Sequence, residues 1–277
     1  MNCAKKITVS LLLCLIYTTS VAGGISKQCE SVIGTNEIIN KVFNVNIAGI
    51  GIVTAWGVSK WDYFSQSMHA EKEGWFATST DDGGADKLGH FYASYAVSHG
   101  LSYLYEGWCF NKPDASFYGA MTSFTILSYM EFGDSFSDFG FSYEDFIMNA
   151  LGSAAGYYLY KNPDLARKID IRWEYGFHPT DADFTTDYEN SKYLLAIKLN
   201  GFESTRKDLL KYLEFHIGYY TRGFNNSSIN KEVNIYFGIG INLTDLFRRN
   251  GHKKTAAFLN YIQLPGTYIE LKNNTKN

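Results

Sequence analysis

The stretch FIMNALGSAAGYYLY, residues 146–160, contains no acidic or basic residue and is long enough for about four helical turns. Gly152 and Gly156 are four residues apart, so they share one face of a helix and let a neighbouring helix approach closely. Three other charge-free runs are also rich in small residues: 42–59, 88–105 and 115–130. The four runs predict a compact bundle of about four apolar helices, either embedded in a membrane or resting against one.

The second half of the chain has a different period. From 233 to 243 every second residue is aliphatic or Phe, and the residues between them are polar, Tyr or Gly. Such alternation is typical of half-buried antiparallel strands, and we expect strands at 193–200, 213–220, 233–243 and 266–271. The apolar faces could cover the helices or face lipid. Covering the helices is favoured, because four strands are too few for a membrane barrel, whose smallest forms have about eight.

The sequence therefore predicts an α+β fold, with a helical bundle followed by a small antiparallel β-sheet. Near the last strands, Thr244 is expected to cap a short helix that begins at Asp245 and ends at Gly251.

The N-terminus has the pattern of a secretory signal peptide. Lys5 and Lys6 precede an apolar run at 11–16 and small residues at 20–23, which predicts cleavage near Ala22. The alternatives are an uncleaved anchor, or a lipoprotein signal at Cys14, although Leu13 stands where a small residue is expected. We divide the chain into a signal peptide (1–22), a helical bundle (23–165), a connector (166–190) and a strand region (191–277).

Removal of the signal peptide would leave two cysteines, Cys29 and Cys109. In an oxidising compartment this pair is a candidate disulfide that ties the start of the mature chain to the connection around 106–114. Two free thiols are the alternative, because spacing in sequence does not show distance in space.

Composition excludes two broad classes of protein. With 45% hydrophobic and 17% aromatic residues, the chain is too apolar to be disordered. Its formal net charge of −3 argues against a nucleic-acid partner. A membrane or envelope lipid is the expected partner, and the sequence leaves protein partners open.

Polar residues gather at the ends of three charge-free runs. They form the groups Asp86 with Lys87 and His90, Glu131 with Asp134, and Asp145 with Ser142 and Asn149. If neighbouring helices run antiparallel with short connections, these three ends lie on the same side of the bundle.

Two kinds of role suit such a cluster. His90, Asp86, Glu131 and Asp145 are candidate catalytic residues, because a His with carboxylates can hold Zn²⁺, Mn²⁺ or Fe or can act as an acid/base pair. The alternative is a structural or binding centre, in which the carboxylates cap helices or pair with cations. Its further members would be Lys87, Asp134, Ser142 and Asn149. No cofactor is specified beyond a possible divalent metal.

Several short motifs, taken together, resemble a known family. The motifs are Trp75-Phe76, Asp86-Lys87-x-x-His90-Phe91, Glu131-Phe132-x-Asp134, Gly140-Phe141-Ser142-x-x-Asp145 and Asn149-x-x-Gly152. Over about 50–160 they are similar to the YfiM-like family of predicted periplasmic lipoproteins, a domain of unknown function, and more distantly to VanZ-like membrane proteins. The resemblance implies an envelope location and a helical architecture, and it implies no established reaction.

We therefore expect an exported bacterial cell-envelope protein on the periplasmic side of a membrane, with the outer membrane favoured. The leading hypothesis is a membrane-associated protein with a structural or binding centre. The alternative is a metal- or acid/base-dependent hydrolase acting on envelope lipid or glycan, with His90 as base and Glu131 as acid or metal ligand.

Overall fold

The computed structural model describes Cys29 and residues 33–176, 186–225 and 230–272. Within these residues the chain has seven helices and a five-stranded antiparallel sheet, so the predicted α+β fold is confirmed. The expected signal peptide, 1–22, lies outside the described residues.

The four long helices coincide with the four charge-free runs. The helices are α1 (Thr35–Lys60), α2 (Ala85–Gly107), α3 (Lys112–Asp134), α4 (Tyr143–Lys161), α5 (Pro163–Ala166), α6 (Leu243–Arg249) and α7 (Lys253–Leu259). Two short strands, β1 (Ala70–Glu71) and β2 (Phe141–Ser142), pair in parallel and join the segment after α1 to the start of α4.

Small residues bring α2, α3 and α4 together. A Cβ atom at Gly152 would lie 2.1 Å from the carbonyl oxygen of Phe91, and one at Gly156 would lie 2.5 Å from Ser98 Oγ. Both glycines of α4 therefore pack against the backbone and small side chains of α2. Gly119 of α3 meets Ser102 of α2 in the same way.

The sheet contains β3 (Ile169–Tyr175), β4 (Ser191–Lys198), β5 (Leu213–Arg222), β6 (Glu232–Ile241) and β7 (Tyr268–Lys272), in that order. All four pairings are antiparallel. The free edge of β3 bonds to the segment before β7. There the Trp173 amide donates to the Tyr261 carbonyl and the Gln263 amide donates to the Trp173 carbonyl, both at 2.9 Å.

The expected orientation of the sheet is wrong for β5 and β6. Phe237 and Ile239 are 50% and 40% exposed, whereas Glu214, His216 and Tyr236 are almost completely buried. A period of two defines two faces of a strand but does not decide which face points inward. Here the charged residues can point inward because they pair with one another.

The helices cover one end of the apolar face. The Tyr92 ring of α2 contacts the rings of Trp173 and Tyr193 at 6.2 and 6.1 Å, and the Tyr219 hydroxyl donates to the Gly83 carbonyl. The more distant rows of the same face carry the exposed apolar residues of β5, β6 and β7.

Two local expectations also need correction. The segment 166–190, expected to be a connector, contains strand β3. Its charged residues Asp170 and Arg172 point inward and are buried, so the sequence of this strand does not show the apolar alternation by which strands are recognised. Helix α6 begins at Leu243 instead of Asp245, because Asn242 caps it in place of Thr244: the Asn242 side chain accepts a hydrogen bond from the Asp245 amide at 3.0 Å. Helix α7 was not expected.

A disulfide joins Cys29 to Cys109, 80 positions apart in sequence, with their Cα atoms separated by 5.7 Å. It ties the segment before α1 to the turn between α2 and α3, where Phe110 packs in an apolar cluster with Ile38 and Tyr105.

Candidate functional site

Three helix ends meet beside the loop 72–84. The first two turns of α2 and α4 and the last turn of α3 supply the side chains, and the loop adds Glu73. Gly83 and Gly84 lead into α2 with φ of 65° and 84°, a left-handed backbone that favours glycine. A Cβ at Gly84 would also lie 2.6 Å from the Phe76 ring, so the turn needs glycine for space as well.

Lys87 lies at the centre of the carboxylates and is only 1% exposed. Its ammonium is 2.5 Å from Asp86 Oδ2 and 3.1 Å from Asp145 Oδ2, and it also contacts Glu73. Burial opposes the charge, but Asp86 and Asp145 outweigh it, so the pKa of Lys87 is raised above its ordinary value. Lys87 is therefore a permanent cation whose three donors are engaged.

His90 lies between two carboxylates without a well-formed hydrogen bond to either. Its Nδ1 is 3.2 Å from Glu131 Oε1, and its Nε2 is 3.9 Å from Asp145 Oδ2. The Nδ1 contact is short but not aligned for a hydrogen bond, so this buried nitrogen lacks a partner. Burial lowers the pKa of His90, so the imidazole is neutral at neutral pH and has a lone pair to offer.

Asn149 and Ser94 position Glu131. The Ser94 hydroxyl donates to Asn149 Oδ1 at 2.8 Å, which turns the amide nitrogen of Asn149 toward Glu131 Oε1 at 3.4 Å. The same nitrogen is 3.3 Å from the Leu127 carbonyl oxygen. This chain of contacts connects all three helices, since its members lie on α2, α4 and α3.

The carboxyl groups outnumber the cations. Burial and the neighbouring Asp145 raise the pKa of Glu73 to about 7, and burial raises that of Asp134 to about 7. Burial, with Asp145 and Asp134 nearby, raises the pKa of Glu131 well above its usual range. Burial also raises the pKa of Asp145 despite the opposing effect of Lys87. Lys87 alone cannot neutralise this group, so it must hold protons or a further cation.

Two overlapping sets of side chains have the arrangement of metal ligands. His90, Glu131 and Asp145 each offer one ligand atom, and these atoms lie within 4.8 Å of one another. Glu73, Asp86 and Asp145 form a second set with the same property. Asp145 belongs to both sets, and Asp86 Oδ1 is buried without a hydrogen-bond donor.

The remaining predicted residues lie at the margin of this cluster. The Ser142 hydroxyl accepts from the Asp145 amide at 3.3 Å and so caps α4. Asp134 is close enough to Asp145 and Glu73 for their charges to raise its pKa, while the neighbouring Tyr63 hydroxyl lowers it.

Sequence reasoning did not place Glu73 or Glu144 in this cluster. Glu144 is fully buried and accepts from the Gly74 amide at 3.1 Å. Glu73 stands in a loop, where no periodic pattern assigns a direction to a side chain. Its position just before Gly74-Trp75-Phe76 was the available signal.

Residues 72–161 match the model of a family described as predicted periplasmic lipoprotein (DUF2279). The matched segment contains every residue of the cluster, from Glu73 to Asn149, and extends to the end of α4. No curated protein and no solved structure matches the chain at a significant level.

Proposed function

With residues 72–161 matching predicted periplasmic lipoproteins of unknown function, we propose that the cluster around Asp145 is a divalent-cation-binding centre in a membrane-associated envelope protein. The match supports a periplasmic location. The cation centre, the membrane association and the preference for the outer membrane are our proposals.

The proposal rests mainly on Asp145, which belongs to both ligand sets. The site around it holds more buried carboxyl groups than cations. A divalent cation would supply the missing positive charge and lower the raised carboxyl pKa values. The set with His90 suits Zn²⁺, Mn²⁺ or Fe²⁺, because it combines imidazole and carboxylate ligands. The set with Glu73 and Asp86 offers oxygen alone, which suits Mg²⁺, Ca²⁺ or Mn²⁺. A cation bound there would have to displace the Lys87 ammonium, which contacts all three carboxylates of this set.

Metal content and metal titration test the proposal. We expect the parent chain to bind about one Mn²⁺ or Zn²⁺ after chelator treatment, and Asp145→Asn to lose this binding because both sets lose a charged ligand. Asp138→Asn is the matched control, since Asp138 is an exposed carboxylate that accepts from Gln66 at 2.9 Å. Absence of binding by the parent, or equal binding by the two variants, would contradict the proposal.

Membrane association is supported by α1. Among the described residues, this is the one helix long and apolar enough to cross a membrane by length and composition. Its side chains Ile39, Phe43, Ile47 and Ile52 are more than half exposed. We expect the protein to require detergent for extraction from membranes. Release by alkaline carbonate would contradict this part of the proposal.

A hydrolase acting on envelope lipid or glycan is the second candidate. Neutral His90 beside Glu131, whose pKa is raised, has the form of a base and an acid. The side chains of Glu73 and His90 are 26% and 16% exposed, so water can reach the cluster. His90→Ala would then abolish complementation of a deletion strain without lowering the melting temperature. A variant that melts like the parent and still complements would exclude this candidate.

A further inference from the structure

The sheet has an apolar exterior and a polar interior. The exposed side chains form neighbouring rows across the strands, since Phe215 pairs with Ile239 and Ile239 with Ile269. The next row joins Ile217, Phe237 and Leu271 in the same way. Exposure in these two rows ranges from 40% to 73%.

The opposite face is charged and aromatic, and its central residues are buried. Arg172 donates to Glu214 at 2.6 Å and to Asp170 at 2.7 Å, and Lys198 donates to Asp170 at 2.5 Å. All four residues are no more than 4% exposed. Tyr236 is also buried on this face and stacks against Tyr268 at 5.6 Å.

This distribution is the reverse of that in a sheet exposed to water. A sheet with one face in water places its polar residues on that face. Strands that alternate apolar outward and polar inward occur in transmembrane β-barrels, where the outward residues contact lipid. The apolar positions of β6 extend from Val233 to Ile241 and span about 26 Å at ~3.3 Å per residue. This length is close to the ~30 Å thickness of the hydrocarbon layer.

The breadth of the apolar surface favours lipid over a protein partner. Exposed apolar side chains also occur on three helices: Phe43 and Ile52 on α1, Phe117 and Met121 on α3, and Leu151 and Tyr158 on α4. One protein interface covers a single patch, whereas acyl chains can cover many faces at once.

We propose that the outer face of β5, β6 and β7 contacts the acyl chains of a bilayer. This inference rests on the membrane association proposed above. It identifies a second surface, besides α1, that contacts the membrane. It does not depend on the cation centre.

A fluorescent probe on this face tests the proposal. In the full chain, Cys3→Ser and Cys14→Ser remove the thiols outside the disulfide, and Ile239→Cys introduces one for labelling with an environment-sensitive fluorophore. Glu203→Cys is the matched control, because Glu203 is an exposed polar residue in the connection between β4 and β5. The labelled proteins are reconstituted into phosphatidylethanolamine/phosphatidylglycerol vesicles, with or without lipids that carry a doxyl quencher in the acyl chain.

We expect a blue-shifted emission at position 239 and quenching by the doxyl lipid several-fold greater than at position 203. Water-like, unquenched emission at 239 in vesicle-bound protein would overturn the inference while leaving the association through α1 intact. Blue-shifted emission that the lipid does not quench would show that a second copy or another protein covers the face, and would also overturn it. Failure of the protein to bind vesicles would overturn both proposals.

Discussion

Lys87 contacts three carboxylates from three segments of the chain, namely Glu73, Asp86 and Asp145. Removing one member of a buried ion-pair network leaves the other charges uncompensated, which costs more than the network contributes as a whole. Because the same carboxylates are proposed cation ligands, the role of Lys87 in holding α2, α4 and the loop together is tested in chelator-treated protein.

Lys87→Met should lower the free energy of unfolding by about 3–5 kcal/mol, because at least one carboxylate loses its cation in a buried site. Urea denaturation at neutral pH measures this change. Lys60→Met is the control, since Lys60 is exposed in the last turn of α1 and its loss should cost less than about 0.5 kcal/mol. Equal costs for the two variants would show that the Lys87 network adds nothing to stability.

The raised carboxyl pKa values predict a pH dependence of the metal-free protein. Glu73 and Asp134 have ordinary values of 4.5 and 3.8 and values of about 7 in the fold, so the folded state binds more protons than the unfolded state between these limits. Their contribution to stability is present below about pH 4 and is lost as the pH rises through about 7. His90 has the opposite effect on stability: burial lowers its pKa, so its contribution favours the folded state less as the pH falls.

Burial also raises the pKa of Glu131, Asp145 and Asp82, and it lowers that of a second imidazole, His99. Because the raised carboxyls outnumber the two imidazoles, we expect the chelator-treated protein to be more stable near pH 5 than near pH 7.5. Urea denaturation at both pH values measures the difference. Added Mn²⁺ should reduce it by stabilising the ionised carboxylates at the higher pH. A metal-free protein that gains stability steadily from pH 5 to 7.5 would contradict the assignment of these groups.

At the scale of single residues, the sequence identified the titratable groups that lie on helices. Asp86, His90 and Glu131 lie at helix ends, where the 3.6-residue period assigns each side chain a direction. Glu73 lies in a loop and has no such period. Whether His90 would be neutral also depends on burial by other elements, which one segment of sequence does not specify.

At the scale of elements, the packing of α4 against α2 depends on glycine. Gly152→Ala would place a methyl group 2.1 Å from the Phe91 carbonyl oxygen, an atom of the backbone that cannot rotate away. We expect the helices to separate and the free energy of unfolding to fall by about 1–3 kcal/mol.

Gly51→Ala is the matched control, because Gly51 is also helical and a Cβ there meets no atom within 4 Å. This substitution should raise stability by up to about 1 kcal/mol through helix propensity alone. Thermal melting of both variants checks the pair, and a similar sign for both would contradict close packing at Gly152.

Simple sequence patterns predicted most of the helices and strands, but they did not predict which faces of the strands are buried. Charge-free runs predicted the four long helices, and alternation predicted β5 and β6. Strand β3 was missed because its inward residues are charged, and a polar segment resembles a connector when the partners of its charges are unknown. For the same reason, the alternation in β6 did not show that its apolar face would point outward.

At the scale of the whole molecule, the Cys29–Cys109 bond closes a loop of about 80 residues that contains α1 and α2. A cross-link of this span restricts the unfolded chain, and its loss should cost about 2–5 kcal/mol. Cys29→Ser with Cys109→Ser should lower the urea midpoint accordingly, and reduction of the parent should give the same shift. An unchanged midpoint after complete reduction would contradict a stabilising bond.

The central claim, a cation centre on Asp145, is tested most directly by locating the ion. Crystals of the chain grown with Mn²⁺ should give an anomalous peak about 2.0–2.2 Å from a carboxylate oxygen of Asp145. The same ion should be ligated by His90 and Glu131, or by Glu73 and Asp86. A map without a peak at this position, with the Asp145 carboxylate still paired to Lys87, would contradict the claim.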